Sequence, residues 1–162
     1  MAKLVYSMVT SLDGYAEAAE GDLGTGADDP EVHTFINDLF RPVGTYLYGR
    51  RMYETMVYWE TAHREPDQPP HILQYARDWQ AAEKVVYSTT LESVSSERTR
   101  IERSFDPDAV RRLKSEADRD LTVIGDDGSG TYRFPFRVPL TAMDDLGGRL
   151  HQLLNRPGAG PC

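Results

Sequence analysis

Short apolar runs alternate with longer amphipathic segments along this chain, which predicts strands that alternate with helices. Runs of β-branched and aromatic residues bounded by Gly, Ser or Asp are typical of strands. Four runs meet this description: Leu4 to Thr10, Tyr46 to Tyr48, Lys84 to Tyr87 and Leu121 to Ile124. A helical segment precedes each of the last three, so the strands are expected to be joined by helical crossovers.

The helical segments show apolar residues at spacings of three and four, and two of them begin with Asp-Pro. Asp29-Pro30 and Asp106-Pro107 each supply a capping side chain followed by a residue suited to the first helical position. The first helix carries its apolar stripe on Val32, Phe35, Ile36, Leu39 and Phe40. Another helix is predicted to open near Pro70, and a short one to follow Gly49 as far as Met56.

Strands separated by helical crossovers predict an α/β fold, with a mainly parallel sheet and helices on both faces. Ligands of such sheets bind beyond the carboxyl ends of the strands. Three predicted strand ends carry residues suited to phosphate and ribose: Gly49-Arg50-Arg51, Ser88-Thr89-Thr90 and Gly125. Their occurrence on successive strands predicts a shared phosphate and ribose site.

Charge restricts the classes of ligand. The chain of 162 residues has the size of one domain, and 18 basic against 26 acidic side chains give a net charge of −8. A negative overall field disfavours nucleic acid and anionic membranes as partners. An anionic small molecule must therefore meet a local basic patch, and Arg50 with Arg51 after Gly49 provides one.

Cysteine and histidine usage gives no sign of a disulfide or a metal site. The one cysteine is Cys162, and the four histidines have no metal-ligand spacing: His33, His63, His71 and His151. The N-terminal apolar run is too short for a signal peptide, and no apolar segment is long enough to span a membrane. These patterns predict a soluble cytoplasmic protein without a bound metal.

Three motifs, in this order and spacing, resemble the dihydrofolate reductase superfamily. They are Ser11-Leu12-Asp13-Gly14-Tyr15, Leu47-Tyr48-Gly49-Arg50-Arg51-Met52-Tyr53-Glu54 and Val85-Val86-Tyr87-Ser88-Thr89-Thr90-Leu91. Within that superfamily the chain is most similar to small bacterial proteins related to the reductase domain of the bifunctional riboflavin-biosynthesis deaminase and reductase. The resemblance covers about residues 1–125. It implies the three-layer α/β/α reductase fold and NADPH as cofactor.

The resemblance also implies a cofactor site. Arg50 would be the main contact to the 2′-phosphate, because its planar fork stays charged and binds phosphate in two places. The other positions that the resemblance assigns to the cofactor are Gly49, Arg51 and Met52 at the phosphates, Ser88 and Thr89 at the adenosine, Val9, Thr10, Gly14 and Tyr15 at the nicotinamide, and Ile124 and Gly125 at the last strand end.

On the substrate side, Glu31 and Phe35 have the spacing of a carboxylate and an aromatic residue that reductases of this superfamily carry on their first long helix. The resemblance thus offers Glu31 as a catalytic acid and Phe35 as a substrate contact. However, an acid in the first turn of a helix stabilises the helix dipole without any ligand, and we favour this structural explanation for Glu31. Phe35 is likewise expected in the core. Asp13 is a second candidate acid, although an Asp-Gly turn explains it equally.

The resemblance ends after Gly125. Relatives carry a second glycine there and continue into two antiparallel strands, whereas this chain has Asp126 and Asp127 and then a divergent Gly- and Pro-rich segment of the same domain, residues 126–162. Only Met143 to Leu154 has a helical pattern. Either the ending is divergent or the reading frame is shifted or truncated, and the abrupt stop favours the second explanation.

Together these patterns predict an NADPH-dependent reductase that transfers a hydride to a small heterocyclic substrate, similar to a pterin or a riboflavin precursor, or to a carbonyl compound. The alternative is an inactive homologue that binds the nucleotide without turnover, because its C-terminal segment is altered. The resemblance further implies a homodimer.

Overall fold

Five parallel strands form one sheet in the computed structural model, which describes residues 2–7 and 29–124. The strands are β1 (Leu4–Ser7), β2 (Val43–Gly49), β3 (Glu83–Tyr87), β4 (Thr99–Glu102) and β5 (Asp120–Ile124), and they lie in the order β1-β5-β2-β3-β4. Leu47 at the centre of β2 pairs with Val85 of β3 on one side and Val123 of β5 on the other. The predicted parallel α/β sheet is therefore confirmed for the described residues.

Strand β4 was not predicted. Its sequence, Thr-Arg-Ile-Glu, contains one apolar residue, Ile101, which pairs with Val86 of β3. At an edge of the described sheet, one apolar side chain and a ladder of backbone hydrogen bonds to a neighbouring strand suffice. The connection after β3 thus contains a strand where the sequence predicted a loop.

In the described part of the chain, four helices join the strands: α1 (Pro30–Phe40), α2 (Arg50–Met56), α3 (Pro70–Ala81) and α4 (Pro107–Glu116). Two short 3₁₀ helices, Val57–Glu60 and Ala62–Arg64, lie between α2 and α3. The predicted caps are confirmed, because the Asp29 carboxylate accepts from the backbone N–H groups of Glu31 and Val32, and the Asp106 carboxylate accepts from that of Asp108.

Helices cover both faces of the sheet. On one face, α1, α2 and α3 pack through a larger core: Phe40, Val43, Tyr46, Tyr48, Tyr53, Tyr75, Trp79, Ala82 and Val86. On the other face, α4 packs through a smaller core: Ala2, Leu47, Val85, Val110 and Leu121. Alternation along β2 sends Leu47 to one core and its neighbours to the other, as expected of a strand buried on both sides. The described residues therefore form an α/β/α arrangement of three layers.

The buried face of α1 differs from its apolar stripe. His33 and Asn37 are buried together with Phe40, whereas Phe35 is only partly buried. The helix packs against α3, and there the His33 ring contacts aromatic rings and the Asn37 amide donates to the carbonyl oxygen of His71 at 2.8 Å. Packing on α3 thus buries two polar side chains that a hydrophobic pattern assigns to solvent, and the Asn37 amide nitrogen finds a partner there.

Several predictions lie outside the described residues. They are the continuation of the first strand to Thr10, the Asp13-Gly14 turn, and the entire segment 126–162 with its predicted helix. The described residues belong to one compact unit. Among residues 2–7 and 29–124, no helix has the length and apolar character needed to cross a membrane.

Candidate functional site

The ends of the five strands share one edge of the sheet, here called the carboxyl edge: Ser7, Gly49, Tyr87, Glu102 and Ile124. Ile124 pairs with Ser7 on one side and with Tyr48 on the other, and Gly49 pairs with Tyr87. After β4 the chain returns across the sheet to place β5 between β1 and β2. Such a reversal of strand order opens the crevice in which α/β sheets bind ligands.

Gly49 ends β2 with open space beside it. Its φ of −76° and ψ of 165° are ordinary extended values, so no backbone strain requires glycine there. A Cβ built at this position has no atom of the described residues within 4 Å, its two chain neighbours aside. The bare backbone therefore allows a ligand to approach closely at this point of the carboxyl edge.

Arg50 follows Gly49 and is held by two side chains. Its Nε donates to the Glu54 carboxylate at 2.7 Å, and its Nη1 donates to the Thr90 hydroxyl at 3.0 Å. No described residue accepts from Nη2. The side chain is 48% exposed, so the guanidinium is both accessible and oriented.

The loop that follows β3 is fixed from two sides. The Ser88 hydroxyl accepts from the backbone N–H groups of Thr90 and Leu91, at 3.2 and 3.0 Å. Arg103, just beyond β4, donates through Nη1 to the carbonyl oxygens of Ser88 and Leu91. The Ser88 side chain thus shapes the loop, whereas Thr89 is exposed at its tip. Sequence reasoning missed Arg103, because it overlooked the strand that positions it.

An aromatic pair lies beside this loop. The rings of Tyr87 and Phe105 meet edge to face, with centroids 5.3 Å apart. Phe105 is 42% exposed, and burial raises the pKa of the Tyr87 phenol, so the phenol stays neutral at pH 7. This pair was also missed, because only strand β4 brings Phe105 next to the end of β3.

The other described cofactor candidates divide into edge and core positions. Arg51 is exposed in the first turn of α2. The side chains of Met52 and Ile124 are partly buried and pack against the larger core. Val9, Thr10, Gly14, Tyr15 and Gly125 lie outside the described residues.

Two buried hydroxyls join β1 to β5 near the same edge. The Thr122 Oγ1 lies 3.2 Å from the Ser7 Oγ, and both side chains are buried. Each hydroxyl supplies the other with a hydrogen-bond partner, which offsets the cost of burying a polar group. No sequence pattern marked this pair.

On the substrate side, Glu31 and Phe35 lie one turn apart on a continuous helix. Glu31 is exposed, and its backbone N–H donates to the Asp29 carboxylate at 2.8 Å. This position in the first turn fits the dipole explanation of the acid, while its exposure leaves it accessible to a ligand. Asp13, the other candidate acid, lies outside the described residues.

Within residues 2–7 and 29–124, no group of three or more His, Cys, Asp or Glu side chains is placed to hold a metal ion. His33 and His71 have ring centroids 5.1 Å apart, and Trp59 and Tyr75 surround His33. These rings form an aromatic contact between α1, the first 3₁₀ helix and α3.

No protein-family model matches this sequence, and no curated protein matches it significantly.

Proposed function

We propose that the carboxyl edge binds NADPH, with the 2′-phosphate on Arg50, and that the protein is an NADPH-dependent reductase of the dihydrofolate reductase superfamily. The observation that carries the proposal is the position of Arg50. Arg50 directly follows Gly49, which has open space beside it, and its guanidinium is hydrogen-bonded across to the loop after β3. A planar cation next to exposed backbone is suited to a phosphate on a ribose.

The charge distribution supports an anionic ligand at this edge. The whole chain carries a net charge of −8, yet Arg50 and Arg51 follow the end of β2 and Arg103 follows the end of β4, one strand further along the sheet. Glu54 is the carboxylate paired with Arg50 here, and the pair is half exposed. This pair uses only the Nε of the guanidinium, so the pair can be kept while a phosphate binds at Nη2.

The aromatic pair supports an adenine next to the phosphate. Phe105 exposes part of its ring beside the Ser88–Leu91 loop, and Tyr87 braces it edge to face. A planar base that stacks on such a ring gains apolar contact and loses little conformational entropy. The adenosine half of NADPH therefore fits residues at the ends of β2, β3 and β4.

For the reaction, NADPH supplies the hydride, and the protein binds and orients the two reactants. We propose a small heterocyclic substrate, similar to a pterin or a riboflavin precursor, or a carbonyl compound. Glu31 and Phe35 are the proposed substrate contacts on α1, with Asp13 as a further acid. The same resemblance supports a homodimer, which light scattering tests directly.

The test is a titration of the chain with NADPH and with NADH, followed by tryptophan fluorescence. Trp79 is a suitable reporter, because its Nε1 donates to the Tyr48 hydroxyl at 2.9 Å, one residue before Gly49. We expect saturable binding that is tighter for NADPH. Replacing Arg50 and Arg51 by alanine should weaken NADPH by about tenfold to a hundredfold and NADH far less, the loss expected for charge-assisted hydrogen bonds.

A matched control removes the same charge elsewhere. Arg111 and Arg112 on α4 are exposed and pair with Asp108 and Asp106. The R111A/R112A variant should bind both nucleotides like the wild type. If R50A/R51A weakens NADPH and NADH equally, the assignment of the 2′-phosphate is wrong. Binding without turnover on any pterin, riboflavin precursor or carbonyl substrate would favour the inactive homologue.

A further inference from the structure

We propose that Glu54 and Thr90 are positioning residues that hold the Arg50 guanidinium, and that they thereby set the preference for a 2′-phosphate over a 2′-hydroxyl. This inference rests on the proposed NADPH site. It adds a prediction which that site alone does not make: two residues that need not touch the cofactor decide which nucleotide is preferred.

The geometry supports a fixed guanidinium. Glu54 accepts from Nε at 2.7 Å and Thr90 accepts from Nη1 at 3.0 Å, so two different atoms of the planar group are anchored. A planar guanidinium that is bonded through two of its atoms cannot rotate freely. These two anchors use neither N–H bond of Nη2 and only one N–H bond of Nη1, which leaves donors for a ligand.

Each anchor is itself fixed by a different element. Glu54 lies one turn after Arg50 on α2, the spacing at which helical side chains meet. Thr90 lies in the loop after β3, where its backbone N–H donates to the Ser88 hydroxyl at 3.2 Å. Arg103 in turn donates to the Ser88 carbonyl oxygen. The orientation of Arg50 is thus specified by β2, β3 and β4 together.

Anchoring the guanidinium affects affinity because the Arg50 side chain is long and half exposed. A free arginine must lose rotamer freedom when it grips a phosphate, and that loss lowers affinity. A guanidinium that is already oriented avoids most of it. Only the 2′-phosphate benefits, because a 2′-hydroxyl makes no bidentate contact.

Charge and geometry act in opposite directions at Glu54, and two variants separate them. Glu54→Ala removes the acceptor and the charge, whereas Glu54→Gln keeps an acceptor oxygen and removes only the charge. A carboxylate near the phosphate repels it, so E54Q should bind NADPH at least as tightly as the wild type. E54A should bind NADPH more weakly than E54Q, because it loses the anchor.

The experiment compares dissociation constants for NADPH and NADH by tryptophan fluorescence. Thr90→Val keeps the shape of the side chain and removes the hydroxyl, and it should weaken NADPH by about threefold to tenfold, with NADH unchanged. Thr90→Ser keeps the hydroxyl and should behave like the wild type. Thr55→Val is the control, since it removes an exposed hydroxyl of α2 that donates to the Arg51 carbonyl oxygen and does not accept from the guanidinium of Arg50.

A wild-type ratio of NADPH to NADH affinity in both T90V and E54A would overturn the inference. So would an equal loss of both nucleotides in T90V, which would mean that Thr90 only shapes the loop. Either result would leave the proposed NADPH site standing if R50A/R51A still lowers the affinity for NADPH much more than the affinity for NADH. If that double variant is not selective, the NADPH proposal itself fails.

Discussion

At Gly44 the packing of the sheet leaves no room for a side chain. A Cβ built on Gly44 would lie 2.6 Å from the Cβ of Arg119 and 3.3 Å from its Cδ. Gly44 sits where the pairing of β2 with β5 shifts register, between Val43 and Thr45. The two backbones are tied together there, because the Arg119 guanidinium donates to the carbonyl oxygen of Arg41 at 2.6 Å.

The cost of Gly44→Ala follows from which atoms can move. The Cδ of Arg119 can rotate away, but its Cβ moves only with the backbone, and the Asp120 N–H is held by the Pro42 carbonyl oxygen at 3.1 Å. Forcing an extra methyl group into such a site costs about 1–3 kcal/mol. For a chain of this length, each kcal/mol corresponds to a fall in Tm of roughly 2–4 °C.

Urea unfolding of four variants tests this reasoning. Gly49→Ala is the control, because a Cβ at Gly49 meets open space and the backbone there is ordinary. Gly49 is also the N-cap residue of α2, where alanine is less favoured than glycine, and this loss offsets the gain from a less flexible unfolded chain, so the free energy of unfolding should stay close to that of the wild type. Arg119→Gly removes the Cβ that causes the clash, and Gly44→Ala should cost little when the two substitutions are combined. An equal cost of Gly44→Ala in the wild-type and R119G backgrounds would refute the reasoning.

Three further predictions concern the site and the core. Gly49→Ala should leave stability unchanged yet weaken NADPH measurably in the fluorescence titration, because the new methyl group occupies the open space at the carboxyl edge; unchanged affinity would mean that no ligand approaches there. Lys84 is fully buried, and burial lowers its pKa. Lys84→Met keeps the packing and removes the buried charge, so it should unfold at a urea concentration equal to or higher than that of the wild type. Lys84→Ala leaves a cavity and should lower the free energy of unfolding by about 2–4 kcal/mol. Burial raises the pKa of three phenols, those of Tyr46, Tyr48 and Tyr75, above the usual 10.0. The folded state therefore binds their protons more tightly than the unfolded state. With respect to these phenols, the free energy of unfolding should be constant below about pH 10 and fall above it. Unfolding monitored together with phenolate absorbance checks this, and ionisation of these phenols near pH 10 in the folded protein would contradict it.

The parts of the fold with a local physical cause were predictable. Asp29 and Asp106 begin α1 and α4 as expected, because a capping carboxylate and a following proline act within a few residues. The strands that lie in the middle of the sheet were found because burial on both faces demands continuous apolar runs. Strand β4 was missed because its one apolar residue, Ile101, gives no periodic signal.

The candidate site was predictable only as far as strand ends could be placed. The sequence pattern predicted that Arg50 and Thr90 lie at the ends of two strands. Their hydrogen bond could not be predicted, because it joins residues 40 positions apart and depends on the register of β2 and β3. The burial of His33 and Asn37 was hidden for a similar reason. Both are polar by composition, and only the packing of α1 on α3 supplies their contacts.

The proposal places the adenosine half of the cofactor on the described residues, so binding of that half tests the central claim most directly. We would titrate adenosine 2′,5′-bisphosphate and adenosine 5′-monophosphate into the wild type and into Arg50→Ala by calorimetry. We predict that the bisphosphate binds the wild type at least tenfold more tightly than the monophosphate, about the value of one charge-assisted hydrogen bond. We also predict that Arg50→Ala removes this difference. Equal affinity of the folded wild type for the two nucleotides, or no binding of either, would contradict the NADPH site at the carboxyl edge.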